Sequence, residues 1–71
     1  MTNDELKEAF MKQCPVIYRN TSGEDILYEK INAVIYRKEP HGYGVLICAE
    51  LQDKNERSTL TCLAKDIYMP E

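Results

Sequence analysis

The chain has 71 residues, of which 44% are hydrophobic and 30% charged, and its net charge at pH 7 is −3. This composition is typical of one globular domain with a small core, spanning residues 1–71, and not of a disordered chain. The mild acidity disfavours a nucleic-acid or anionic-membrane surface, because both depend on clustered lysine and arginine. We therefore expect a single domain, and the composition weakens the case for a nucleic-acid partner.

The N-terminal segment and the cysteines indicate a cytoplasmic protein. The first five residues are polar and acidic, whereas a signal peptide would be basic and then apolar. No apolar run approaches the roughly 18 residues of a membrane span. The three cysteines, Cys14, Cys48 and Cys62, lie far apart, unlike the dense, even set of a disulfide-stapled secreted domain. We expect reduced thiols, a cytoplasmic location and no membrane partner.

The first predicted element is a short helix over about residues 3–13. Thr2 followed by Glu5 matches a capping box. Apolar residues then recur at the spacing of a helical stripe: Leu6, Ala9 and Phe10. Pro15 disfavours helical backbone at the preceding residue and ends the helix. Residues 1–14 are therefore the helical part of the predicted domain.

Residues 15–71 are predicted to form five β-strands. The strands lie at residues 16–19, 26–39, 45–53, 58–64 and 67–69, separated by turn signals rich in Gly, Pro, Asn and Asp. Strands joined by tight turns pair antiparallel, and a strand as long as the second one usually bends. The predicted fold class is α+β, with a short N-terminal helix followed by a five-stranded antiparallel barrel or strongly bent sheet.

The central hairpin, residues 26–39 and 45–53, carries apolar side chains on both faces. We expect its odd-numbered face to be core: Ile31, Ala33, Ile35, Val45, Ile47, Ala49 and Leu51. On the even-numbered face, Val34, Leu46 and Cys48 are expected to lie under the helix or under a partner. A slip of one residue exchanges the two faces, so the sequence leaves open which one is the interior.

Residues suited to catalysis or metal binding are few and scattered. His41 is the only histidine and lies in a turn, and no two cysteines have the close spacing of a zinc site. A Cys–His nucleophile also needs a third, orienting group, and a chain of this size has little room for a ligand pocket. We expect no enzyme activity, no metal and no cofactor.

Tyrosine and lysine side chains form the candidate interaction surface. Tyr28, Lys30, Tyr36 and Lys38 share the even-numbered face of the long strand, and Tyr43 lies in the adjoining turn. Protein interfaces favour tyrosine for its large area and polar tip. Tyrosine beside lysine is also typical of surfaces that bind single-stranded nucleic acid. A half-solvated sheet face that the helix partly covers is the third interpretation.

Four segments carry a resemblance to known proteins: CPVIY, AVIYRKE, VLICAELQDKN and STLTCLAKDIY. Their order resembles small uncharacterised proteins encoded in prophages and mobile elements of Firmicutes. The strand order is similar to SH3-like barrels, including a one-turn break near Lys65-Asp66. The resemblance implies an SH3-like barrel and transfers no activity or site residues. SH3 domains that bind proline-rich peptides carry a groove tryptophan, which this chain lacks.

The leading functional expectation is a non-enzymatic protein-interaction module encoded by a phage or mobile element. It would bind a protein partner through the tyrosine face or through an exposed strand edge, and self-association into a homo-oligomer is one version. One alternative is a small barrel that binds single-stranded nucleic acid through Lys30, Tyr36 and Lys38. Another is an inhibitor of a host protein, which the sequence does not separate from the first.

Overall fold

The computed structural model describes residues 1–70 as one α-helix, six β-strands and one turn of 3-10 helix. The elements are α1 (Asn3–Lys12), β1 (Val16–Arg19), β2 (Asp25–Tyr28), β3 (Lys30–Lys38), β4 (Val45–Gln52), β5 (Thr59–Leu63), the 3-10 turn (Ala64–Asp66) and β6 (Ile67–Tyr68). All strand pairings are antiparallel. The predicted α+β class with antiparallel strands is therefore confirmed.

The strands form two three-stranded sheets, with the orders β2-β1-β6 and β3-β4-β5. The prediction of five strands in one barrel is therefore wrong. The predicted long strand divides at Glu29, which belongs to neither β2 nor β3. Glu29 donates its N–H to the carbonyl of Gln52 at 2.8 Å, so the chain passes from one sheet to the other within a single residue.

Helix α1 begins at its predicted residue and ends one residue early. Thr2 Oγ1 accepts the N–H of Glu5 at 3.2 Å, and Glu5 Oε1 accepts the N–H of Thr2 at 2.8 Å. This reciprocal capping box satisfies two N–H groups at the helix start, and the bond from the Thr2 backbone lowers the pKa of Glu5. Gln13 follows the helix in left-handed conformation, with φ 55°. Across residues 1–70, no helix has both the length and the apolar character needed to cross a membrane.

The core lies where α1, the β2-β1-β6 sheet and one face of the β3-β4-β5 sheet meet. Its buried members come from all three: Leu6, Ala9, Val16, Ile31, Ala49, Leu51, Ala64 and Ile67. The predicted helical stripe is confirmed, since Leu6 and Ala9 are buried and Phe10 packs against this cluster. The helix thus packs on the same side of the β3-β4-β5 sheet as the second sheet does.

A β-bulge interrupts β3 at Asn32. Ile31 pairs with Leu51, and Ala33 pairs with Glu50. Between these two pairs the chain moves on by two residues in β3 but by only one residue in β4. An extra residue of this kind exchanges the faces of all side chains that follow it in the strand. The odd-even pattern read from the sequence therefore holds only up to Ile31.

Beyond the bulge, the predicted core assignment fails. Val34 packs against the core, although the sequence predicted it on the other face. Ala33 and Ile35 lie on the face turned away from the core, and Val45 is 58% exposed. The predicted core positions of these three residues are therefore wrong. The rest of the predicted set is buried in the core or packs against it: Ile31, Ile47, Ala49 and Leu51.

Candidate protein-interaction face

The five residues of the predicted tyrosine–lysine surface do not share one face. Gln52 and Ile47 point to opposite sides of β4, because successive side chains of a strand alternate. Lys30 pairs with Gln52, whereas Tyr36 pairs with Ile47. Lys30 and Tyr36 therefore lie on opposite faces of one sheet, and the prediction of a shared face is wrong.

Three of these residues are engaged within the chain. Tyr28 lies in the other sheet and packs against the core, and burial raises its pKa. Lys30 Nζ lies 3.7 Å from Glu56 Oε1. Tyr36 Oη donates a hydrogen bond to Asn3 Oδ1 at 2.6 Å, joining β3 to the first turn of α1.

The remaining two residues stay exposed near the turn between β3 and β4. Lys38 lies two residues beyond Tyr36 on the same face of β3, and Tyr43 in the turn is fully exposed. Tyr36 itself is 50% exposed. The predicted surface is thereby reduced to a small patch of Tyr36, Lys38 and Tyr43, and its role in binding stays a prediction.

The face of the β3-β4-β5 sheet that points away from the core is also apolar in its middle. Next to a polar row of Lys30, Gln52 and Thr59, the register places three further rows across the strands: Ala33, Glu50 and Thr61; then Ile35, Cys48 and Leu63; then Arg37 and Leu46. We call the eight residues of these three further rows the outer face. Each row places one residue of β4 opposite a residue of β3, and the first two rows also include a residue of β5.

The centre of the outer face is shielded from solvent without belonging to the core cluster. Cys48 is 6% exposed and yet lies outside the core cluster. Its cross-strand partners are Ile35 and Leu63. Ile35, Leu63 and Leu46 are each partly exposed, and none packs against the core cluster. Because α1 and the second sheet pack on the opposite side, the outer face is an apolar surface that residues 1–70 leave facing solvent.

The charged residues of the outer face lie at its two ends. Glu50 belongs to the first row and is half-buried, whereas Arg37 belongs to the third row and is exposed. Among residues 1–70, neither side chain takes part in an ion pair. Lys30 lies one row beyond Glu50 on the same side of the sheet, and its charge is matched by Glu56 at 3.7 Å. Within the described chain, the outer face therefore has an unpaired negative charge at one end, an apolar middle and an unpaired positive charge at the other end.

An open strand edge adjoins the third row. β5 pairs with β4 only at residues 48–52, so residues 45–47 have no partner strand on that side within the described chain. A shallow groove of about 320 Å³ lies there, with Leu46, Leu63 and Lys65 among its lining residues. Unpaired strand edges and grooves are both places where another chain can bind. The groove extends the apolar surface beyond the outer face.

The thiols give no sign of a reactive site. All three cysteines are free, and burial raises the pKa of Cys62 to about 11. A thiol with so high a pKa holds little nucleophilic thiolate at neutral pH. In residues 1–70, no group of three or more His, Cys, Asp or Glu residues is placed to hold a metal ion.

The sequence pattern identified only part of this face. Leu46 and Cys48 were expected to need a cover, but Ile35 was assigned to the core because the bulge was missed. The available signal was Asn32, a poor strand former in the middle of an otherwise apolar run. Comparisons of the chain with protein-family models, with curated proteins and with solved structures found no match.

Proposed function

We propose that this protein is a non-enzymatic interaction module that binds another protein chain through the outer face. The observation that supports the proposal is the apolar middle row, Ile35, Cys48 and Leu63, on a sheet face that α1 and the second sheet leave uncovered. Contiguous exposed apolar surface with a polar rim is typical of protein-binding sites. Glu50, Thr61 and Arg37 provide such a rim.

The apolar side chains can supply useful binding energy. Full burial of one Leu or Ile side chain contributes about 1.5–3 kcal/mol, and Ile35, Leu46 and Leu63 are already partly buried. Each of them would therefore contribute about 1 kcal/mol when a partner covers the face. Association also costs about 4 kcal/mol or more in lost freedom, so this surface suits a partner of modest affinity.

The same face would serve an inhibitor of a host protein, which is one form of this proposal. Binding of single-stranded nucleic acid would instead use Tyr36, Lys38 and Tyr43, and the full exposure of Tyr43 favours it. The net charge of −3 and the position of Lys30 on the opposite face weaken it. A fluorescence titration with short single-stranded DNA and RNA at low salt, where phosphate contacts are strongest, separates the two proposals.

Site-specific photocrosslinking tests the protein-binding proposal. A benzophenone amino acid would replace Ile35 at the centre of the outer face, and in a matched control it would replace Met11, which is 76% exposed on α1. Each variant would be irradiated pure and in an extract of cells that encode the chain. We expect a discrete protein adduct from position 35 and none from position 11.

Two further measurements, circular dichroism and the mass of the adduct, complete the test. Circular dichroism must show the same spectrum and the same melting temperature for both variants, so that an adduct reflects surface and not misfolding. The absence of an adduct at position 35, pure and in extract, would overturn the proposal. The mass of an adduct identifies the partner, since a second copy adds 8.2 kDa.

A further inference from the structure

We propose that the partner on the outer face is a second copy of this chain, stacked face to face across a two-fold axis. The inference depends on the proposed function, because it names the occupant of the same surface. It follows from the way charge is arranged around the apolar middle row. Glu50 at one end and Arg37 at the other make the face complementary to itself.

Consider a two-fold axis that lies in the plane of the interface and is perpendicular to the strands. This axis places the rows of the second copy over those of the first in the reverse order. The middle row, Ile35, Cys48 and Leu63, then packs against the same row of the second copy. The row of Glu50 lies over the row of Arg37 and Leu46. Two sheets packed in this way lie about 10 Å apart, with strands nearly aligned and side chains interdigitated.

The charges favour this axis over the alternative one. With the perpendicular axis, Glu50 of one copy lies over Leu46 and beside Arg37 of the other, and the symmetry repeats this contact. An axis parallel to the strands would place each row over itself, with Glu50 against Glu50. Opposite charges across paired strands are favourable, and like charges are unfavourable. The two Arg37–Glu50 contacts therefore set the orientation of the copies.

The size of the face predicts a weak dimer. Three strands at a spacing of about 4.8 Å and three rows of side chains give a contact smaller than the roughly 1,200 Å² at the lower limit of stable interfaces. A dimer of this size forms and dissociates readily. We therefore expect its population to rise steeply across micromolar to millimolar concentration.

Sedimentation velocity on the full chain tests the proposal. The wild-type protein should shift from 8.2 kDa toward twice that mass between about 10 μM and 1 mM, the range expected for a weak contact. Arg37→Glu and Glu50→Arg place like charges at both contacts. Each substitution should raise the dissociation constant about tenfold, whereas Lys7→Glu on the exposed side of α1 should leave it unchanged.

Mixing the two charge-reversal variants gives the sharpest reading. An equimolar mixture of the R37E and E50R proteins has opposite charges at both contacts, so it should form a heterodimer more tightly than either protein alone forms a homodimer. The double variant R37E/E50R should dimerise as the wild type does. A monomer at 1 mM, or a dimer that neither substitution weakens, would overturn the second copy as occupant. An adduct of another mass at position 35 would then leave the proposed function standing without this dimer.

Discussion

The side-chain amide of Gln13 donates a hydrogen bond to the carbonyl of Ile31 at 3.0 Å, joining the end of α1 to the residue before the β3 bulge. The same amide also donates to the carbonyl of Phe10 at 2.8 Å. Gln13 reaches both carbonyls from a left-handed backbone position, with φ 55°. One side chain therefore ties the end of the helix to the point where the faces of β3 exchange.

Replacing Gln13 with alanine should lower the free energy of unfolding by about 1 kcal/mol, because two hydrogen bonds to carbonyls are lost. Gln13→Gly loses the same bonds but accepts the left-handed backbone at no steric cost. The glycine variant should therefore be the more stable of the two in urea denaturation. Equal stability of the alanine variant and the wild type would show that the Ile31 bond is unimportant.

Two isoleucines four residues apart in β3 should respond differently to the loss of one methyl group. Ile31→Val shortens a fully buried core side chain and should cost about 1 kcal/mol. Ile35→Val shortens a side chain on the uncovered outer face and should cost less than about half of that in a dilute, monomeric sample. Urea denaturation at low micromolar concentration measures both. A larger loss for Ile35 than for Ile31 would contradict the bulge.

Alkaline pH should destabilise the fold through the Cys62 thiol. Burial raises its pKa from 9.0 to about 11, so the unfolded chain loses this proton first. The contribution to stability is complete below about pH 9 and is lost as pH rises through about 11. Tyr28, whose pKa is also raised by burial, acts in the same direction.

The measurement is the free energy of unfolding at several pH values between 7.5 and 11, for the wild type and for Cys62→Ala. The variant should show a shallower decline, since it lacks the titrating thiol. Identical slopes for both proteins would rule out the Cys62 contribution. Cys62 should also be alkylated more slowly in the folded state than in urea.

Acid should weaken the β2-β1-β6 sheet through Asp25. Arg19 donates from Nε to Asp25 Oδ1 at 2.8 Å and from its terminal nitrogen to Oδ2 at 3.2 Å, and its guanidinium lies 4.5 Å from the Tyr68 ring centroid. The hydrogen bond from Arg19 lowers the pKa of Asp25. The stability that ionised Asp25 adds is therefore fully present above its unfolded-state pKa near 3.8. This stability is lost as pH falls through the lower pKa of the folded state.

Asp25→Asn replaces the charged carboxylate with a neutral amide of nearly the same size. The denaturation midpoint of the wild type should exceed that of the variant at pH 6, and the difference should shrink below about pH 4. High salt should also reduce the difference, because the pair is half-exposed. A difference that is constant between pH 6 and pH 2.5 would contradict the contribution of this pair.

Local signals in the sequence predicted the elements well and their assembly less well. The capping box of Thr2 and Glu5 and the stripe of Leu6 and Ala9 placed the helix, because both depend only on near neighbours. The break near Lys65-Asp66 appears as the 3-10 turn Ala64–Asp66. Each of these features is specified within a few residues of chain.

Features that depend on distant partners were not predicted. Glu29 leaves the strand where β2 and β3 enter different sheets, and nothing in its neighbours marks this point. The bulge at Asn32 depends on its pairing with β4, and it moved Val34 into the core and Ile35 out of it. Because one extra residue exchanges faces, the candidate site could be placed only once that register was known.

The pairing of Tyr18 with Ile67 has a consequence for folding, because it joins a strand near the start of the chain to the last one. The β3-β4-β5 sheet needs only two successive hairpins, whereas β6 must close a loop of most of the chain, at a larger cost in entropy. In pulsed hydrogen exchange, amides of β4 should gain protection before those of β6, and simultaneous protection would contradict this order. A chain in which the β3-β4-β5 sheet has formed but β6 has not yet paired would expose both faces of that sheet. This short-lived species would be the one most prone to aggregate.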